Sequence, residues 1–371
     1  MISPHDDLPI HQTPAPIAHP ATGDPNHYDR FFFNGYDPDG GYFFALAMGL
    51  YPNRGVIDAA FSVVRDGVQR SVFASGPIPR DRSQTTIGPI TVELTEPLRV
   101  NRISVQAPDQ GLEAELRYEA RTPAVEEPRQ RIEDRFRTPM DYTRVTQLGC
   151  WEGSLRSGDV EITVPAGTPG TKDRSWGIRP VGEPVPGAPS SVFSSLYFLW
   201  TPIHLGDEGL FLALFEHADG NRWYCRGARA EMLTPGAATC TDEGITHLDG
   251  VDYDIDFEPG TRRSRSASFA YRFGDEVLKA KLEPLLTFPM QGIGYHHPTF
   301  GHGYYHGPEV RVEGATWDLN AEDPLHPLNL HVEQVVRVTV GDRVGVGTFE
   351  QMIIGPHRPS GFTDLFDGAP V

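Results

Sequence analysis

Cysteine is scarce in this chain: Cys150, Cys225 and Cys240 are the only three in 371 residues. They are odd in number and far apart, so neither a disulfide framework nor a zinc knuckle is expected. Free thiols in a reducing, cytoplasmic setting fit best. Positive charge is also in short supply, with 32 Lys and Arg against 50 Asp and Glu and a formal net charge of -18. That balance speaks against binding nucleic acid or an anionic membrane, both of which need a basic surface. No apolar run approaches the ~20 residues of a membrane span. The opening Met-Ile-Ser-Pro-His-Asp-Asp has neither a basic stretch nor an apolar one, so no secretory signal is expected. The common catalytic fingerprints are missing too: there is no GxSxG elbow, no P-loop and no GxGxxG between strand and helix.

Glycine and proline, by contrast, are plentiful at 39 and 34 residues. Without low complexity, that content argues against long helices and for many short strands punctuated by turns. The 39% of apolar residues suffices for a real core. The length allows two domains. Residues 1–24 are rich in proline and acidic residues and read as a flexible or surface-draped leader. Strand patterns begin at Tyr28-Asp-Arg-Phe-Phe-Phe and recur to Gly345-Val-Gly-Thr-Phe-Glu-Gln-Met-Ile-Ile. Asp66-Gly67 marks a tight hairpin. The charge-dense residues 122–137 suit a short helix or an exposed connector, and Val192-Phe-Ser-Ser-Leu-Tyr-Phe-Leu-Trp200 an aromatic strand. The pattern predicts an all-β protein of two antiparallel β-barrel-like domains, spanning residues 25–165 and 166–371.

One stretch breaks the local pattern: Gly170-Thr-Lys-Asp-Arg-Ser-Trp-Gly-Ile-Arg-Pro180. In a strand, Arg174, Trp176 and Ile178 share one face, while Asp173, Ser175, Gly177 and Arg179 share the other. Polar groups on both faces cost free energy unless each finds a partner, a breach expected at functional sites. A structural Asp–Arg network beside a core tryptophan would produce the same pattern.

A second candidate is Tyr295-His-His-Pro-Thr-Phe-Gly-His-Gly-Tyr-Tyr-His306, which holds four of the 14 histidines. In an extended chain at ~3.3 Å per residue, His302 and His306 lie about 13 Å apart, too far for one ion. Gly301, Gly303 and Gly307 oppose a helix that would bring them together. Imidazoles and phenols lining a ligand cavity fit better than a metal site, with a Gly-rich structural turn as the competing reading. Glu216-His217 and Gly355-Pro-His-Arg-Pro-Ser-Gly-Phe362 read as a strand-end pair and a closing turn.

The motif at 170–180 resembles one found in the carotenoid-hydratase-like proteins, among them hydroxyneurosporene synthase and kievitone hydratase, with tocopherol cyclase more distant. Tyr28-Asp-Arg-Phe-Phe-Phe-Asn-Gly-Tyr-Asp37, Gly292-Ile-Gly-Tyr-His-His-Pro298 and Glu350-Gln351 extend the resemblance over most of the chain. It implies two lipocalin-like barrels holding an apolar ligand, and lyase or isomerase chemistry without metal or organic cofactor. Asp173 and Trp176 carry over directly. Hydratase-type members have His where this chain has Arg174. Arginine stays protonated and is a poor proton shuttle, but it binds carboxylate or phenolate well.

The expected function is therefore a cofactor-independent hydratase, dehydratase or isomerase acting on a hydrophobic molecule that is aromatic, terpenoid or steroid-like. Asp173, Arg174, His302 and His296 are the candidate catalytic residues. Trp176, Tyr197, Tyr295, His297, Tyr304 and His306 are the candidate binding residues. A ligand carrier or sensor is the alternative from another class, and a metal enzyme using the histidines a third. The expected partners are a hydrophobic small molecule and a second copy of the chain, with no nucleic acid, membrane span, metal or cofactor.

Overall fold

The computed structural model describes residues 2–134, 137–182 and 195–370. The first half contributes β1 (His27–Tyr36), β2 (Phe43–Tyr51), β3 (Val56–Arg65), β4 (Val68–Pro77), β5 (Thr86–Ile87) and β6 (Ile90–Glu96). It continues with β7 (Val100–Ala107), β8 (Leu112–Ala120), β9 (Val125–Asp134), β10 (Arg137–Ser157) and β11 (Val160–Ile178). Then follow β12 (Leu196–Trp200), β13 (Ile203–Leu205), β14 (Glu208–Glu216), β15 (Arg222–Glu231) and β16 (Ile245–His247). The last strands are β17 (Gly250–Phe257), β18 (Ser264–Phe273), β19 (Glu276–Pro289), β20 (Arg311–Asp318), β21 (His331–Val340) and β22 (Arg343–Ile354).

These strands form two sheets. The first has 12 strands in the order β20-β4-β3-β2-β1-β11-β10-β8-β7-β6-β5, with β9 paired to β10. The second has 10, in the order β16-β15-β14-β12-β22-β21-β19-β18-β17, with β13 paired to β14 and β22. The all-β expectation holds. The expected closed, lipocalin-like barrels do not form, because each hydrogen-bonded path has two ends. In the first sheet, β20 takes the free edge of β4, from Arg311 opposite Ser75 to Asp318 opposite Val68. The backbone groups that closure onto β5 would need are thus used by a strand from the second half. In the second sheet, the end strands β16 and β17 are consecutive in sequence. The chain steps between them, with Leu248 N donating to Gly227 O and Asp249 N to Arg272 O.

The aromatic runs follow from burial on two faces. In β1, Phe31 and Phe33 enter the core of the first sheet with Phe44, Phe61 and Trp151. The intervening Phe32 enters a core between the sheets with Phe43, Phe198, Trp200 and Phe215. A third core lies within the second sheet around Leu199, Phe269, Tyr271 and Phe349. The Asp66-Gly67 hairpin forms with both residues at positive φ, 50° and 74°. β11 continues to Ile178, past the junction expected near residue 165.

Within residues 122–137, Val125–Asp134 form strand β9 instead of a short helix or an exposed connector. The reason lies across the ladder: Glu127 and Gln130 are buried against Arg144 and Tyr142 of β10. Arg135 and Phe136 of that segment, and Val192, Phe193 and Ser194 of the expected aromatic strand, lie outside the described residues. Among the described residues no helix is long and apolar enough to cross a membrane.

Candidate active site between the two sheets

A cavity of about 360 Å³ lies between the sheets. Its floor comes from three neighbouring strands of the first sheet. β1 supplies Arg30 and Phe32, β10 supplies Tyr142 and Arg144, and β11 supplies Asp173 and Ser175. The opposite wall is Leu196, Phe198 and Phe215 with His331, Glu350 and Met352. The segment between β19 and β20 covers one side with Tyr295, His296, His297, His302 and Tyr304.

Asp173 is the central acid. Its neighbours in register are Phe32 on β1 and Thr146 on β10. Its nearest cation is Arg144, with Nη1 at 3.8 Å from Oδ2. Arg144 is already committed to Glu127 by two bonds, Nε to Oε1 at 2.9 Å and Nη2 to Oε2 at 2.7 Å. Burial therefore outweighs Arg144, and the Asp173 carboxyl is pushed up to about 6, with the charges of Glu127 and Glu350 adding to the rise. A carboxyl in that range holds or releases a proton near neutral pH.

Arg30 and Arg179 bring positive charge to the cavity wall. Neither forms an ion pair within 4 Å among the described residues. Arg30 lies 4.8 Å over the Tyr295 ring, and Arg179 lies 4.8 Å over Tyr28 and 5.9 Å from Tyr295. Aromatic faces hold the guanidinium planes without neutralising them, leaving donors for an anion.

The histidines divide by role. His302 Nε2 donates to the Ile293 carbonyl at 2.9 Å, and its Nδ1 accepts from Arg30 Nη1 at 3.0 Å. Burial, then Arg30 and Arg179, hold it well below the usual imidazole range. Both ring nitrogens of His302 are thus engaged, in place of the free imidazole that acid/base work calls for. His297 Nδ1 accepts from the backbone N–H groups of Phe300 at 2.8 Å and Thr299 at 3.2 Å, so it shapes its own turn. His296 lines the cavity from a left-handed backbone position, φ 56°. Burial and His331 pull it down to about 4. Behind His302, half-buried Asp58 accepts from Gly303 N at 2.6 Å and Tyr51 OH at 3.2 Å. Gly303 has φ 77°, a conformation that glycine adopts freely.

Four other candidates fall elsewhere. Arg174 is on the opposite face of β11, paired with Asp29 and 4.0 Å over the Phe31 ring. Trp176 shares that face and is 42% exposed. Tyr197 points into the core of the second sheet and stacks on His357 at 3.8 Å. His306 stacks on Phe300 at 4.7 Å, outside the cavity wall. The structure brings together Asp173, Tyr295, His296, His297, His302 and Tyr304, and adds Arg30, Arg144, Arg179, His331 and Glu350. Arg179 follows β11 within the motif at 170–180, while Arg30, Arg144, His331 and Glu350 come from β1, β10, β21 and β22. The unusual acid in Phe-Glu-Gln-Met, and the arginine before Phe31-Phe-Phe33, are the signals that point to Glu350 and Arg30.

Among the described residues no three His, Cys, Asp or Glu side chains gather as a metal ligand set. No curated protein matches the chain. Among solved structures, an AttH candidate from Nitrosomonas europaea is 12% identical, with a TM-score of 0.54 over 88% of this chain and 92% of that one. CghA is 13% identical, with a TM-score of 0.43 over 89% of each chain, a likeness that carries no argument. At such identities the first likeness is one of fold alone. A family model described as a family of unknown function, DUF8625, matches residues 2–363, and the chain belongs to that family.

Proposed function

We propose that the inter-sheet cavity is the active site of a lyase or isomerase that acts by proton transfer on a hydrophobic small molecule carrying a carboxylate or phenolate. The observation that carries this reading is Asp173. It is a carboxyl facing an aromatic-walled cavity, with a proton affinity raised by burial and no arginine committed to it. Arg30 and Arg179 hold the anionic end of the ligand. Phe32, Phe198 and Phe215 enclose its apolar body, and their ring faces stabilise positive charge that develops when an alkene or enol is protonated. The protonation itself moves only a proton, from Asp173 to carbon; in an isomerase a neighbouring C–H then gives up its proton, and in a lyase the added or departing group takes up or leaves with the electron pair.

The test is turnover of a panel of terpenoid, steroid and aromatic acids and phenols, followed by mass spectrometry. Wild-type protein should convert at least one of them, and Asp173→Asn should bind it without converting it. An Asp173→Asn variant that turns over at the wild-type rate removes Asp173 from the chemistry. Tight binding without conversion by wild type would make the protein a carrier.

A further inference from the structure

On the wall facing Asp173, His331 and Glu350 form a buried pair. His331 opens β21, opposite Met352 of β22. Its Nε2 lies 2.5 Å from Glu350 Oε1. A carboxylate in that position accepts the Nε2 proton, which leaves the lone pair of a neutral imidazole on Nδ1. That Nδ1 is buried and has no hydrogen-bond partner among the described residues. Both side chains line the cavity, and the His331 side chain is only 1% exposed. Tyr295 meets the His331 ring edge-on at 4.4 Å. A buried acceptor without a donor costs free energy and calls for a reason. Glu350 has a further neighbour, Glu333, opposite it on β21. Burial, then the Glu350 charge, raises the Glu333 carboxyl well above its usual range.

We propose that His331, oriented by Glu350, is a second proton-transferring residue of this cavity and takes a proton from the substrate on Nδ1. The proposal rests on the reading of the cavity as an acid/base site. It pairs an acid on β11 with a base on β21, so that one face of the ligand gains a proton while the other loses one. A carboxylate that fixes the tautomer and steadies the imidazolium is the usual means of making such a base effective. Glu350 is a positioning residue; His331 is the catalytic one.

The base can be tested with a carbon acid in place of the natural substrate. In 5-nitrobenzisoxazole a base removes the ring C–H proton. The C–H electron pair completes the nitrile, the N–O bond breaks, and the oxygen leaves as the coloured cyano-nitrophenolate. No oxidant or reductant enters. Full-length wild-type protein should open the ring with saturation kinetics and above the rate in buffer. His331→Gln should lower kcat by about 10²-fold. Glu350→Gln keeps the size and hydrogen bond of the residue but removes its charge. It should shift the alkaline-going limb of the pH–rate profile to lower pH, which a merely structural role would not do. Loss of the rate in Asp173→Asn with His331→Gln within twofold of wild type overturns the His331 assignment and leaves Asp173 standing. A wild-type rate equal to that in buffer, or both variants at the wild-type rate, overturns both.

Discussion

Arg30 donates from Nη1 to Nδ1 of His302 at 3.0 Å, and this bond occupies one nitrogen of the imidazole. The other ring nitrogen is spent on the Ile293 carbonyl. His302→Ala should therefore leave the pH–rate profile in place while lowering stability by about 2–4 kcal/mol, because a guanidinium and a carbonyl lose their partner. Urea denaturation together with a pH profile checks both halves. A lost profile limb would return His302 to the chemistry.

Asp173 should make stability depend on pH. Its carboxyl rises from 3.8 to about 6 on folding. The folded state binds this proton more tightly than the unfolded chain does, so the stabilising effect is present at acid pH and is lost as pH rises through about 6. The loss amounts to about 2 kcal/mol between pH 4 and 7. Asp58 rises to about 6 as well, and His296 falls to about 4 with the opposite sign. The comparison must therefore be wild type against Asp173→Asn. The variant should gain stability relative to wild type as pH rises from 4 to 7. Parallel stability curves would show that Asp173 is not held in an apolar setting.

Arg179→Met should weaken binding of 2-naphthoate about tenfold, equivalent to about 1.4 kcal/mol. The neutral 2-naphthamide should bind within twofold of wild type. Arg179→Lys should recover only part of the loss, since an ammonium cannot reproduce the planar pair of donors. Isothermal titration with the two ligands distinguishes charge recognition from packing: equal losses for acid and amide would assign Arg179 to packing alone.

Trp176 lies on the opposite face of β11 from Asp173. Trp176→Ala should leave naphthoate affinity unchanged and shift stability by no more than about 1 kcal/mol. Loss of binding in this variant would place the ligand on the other face of the strand.

Asn34 joins the two sheets. Its Nδ2 donates to Glu333 at 2.7 Å, and its Oδ1 accepts from Thr171 N at 2.8 Å. Asn34→Leu should cost about 2–4 kcal/mol in a denaturant melt, because an acid and an amide both lose their partner in a dry interface. A cost below 1 kcal/mol would mean that water replaces the amide.

The alternation in β11 was legible from spacing: Asp173 and Ser175 share one face, Arg174 and Trp176 the other. Which face lines the cavity was not, because that depends on where β12 and β22 pack. The motif resemblance carries over both Asp173 and Trp176, which lie on opposite faces, and the second sheet covers Asp173. The histidine segment was readable as a cavity wall from its glycines and aromatics. The roles of its histidines were not, since Arg30, Asp58 and Ile293 set them from far away in the chain. His331 and Glu350 belong to a pair formed only when β21 lies beside β22. Sheet closure was likewise beyond local pattern: the strand at 311–318 has the same alternation whichever edge it joins.

That strand has a lasting effect on how the protein can change. Because β20 completes the first sheet after the chain has already built most of the second, neither half is a cassette that can be cut out and exchanged for that of a relative. The stretch carrying Tyr295 and His302 is strung between β19 and β20, so it is tied at one end to each sheet. New specificities must therefore arise by point substitution around the cavity or by altering the length of that tether.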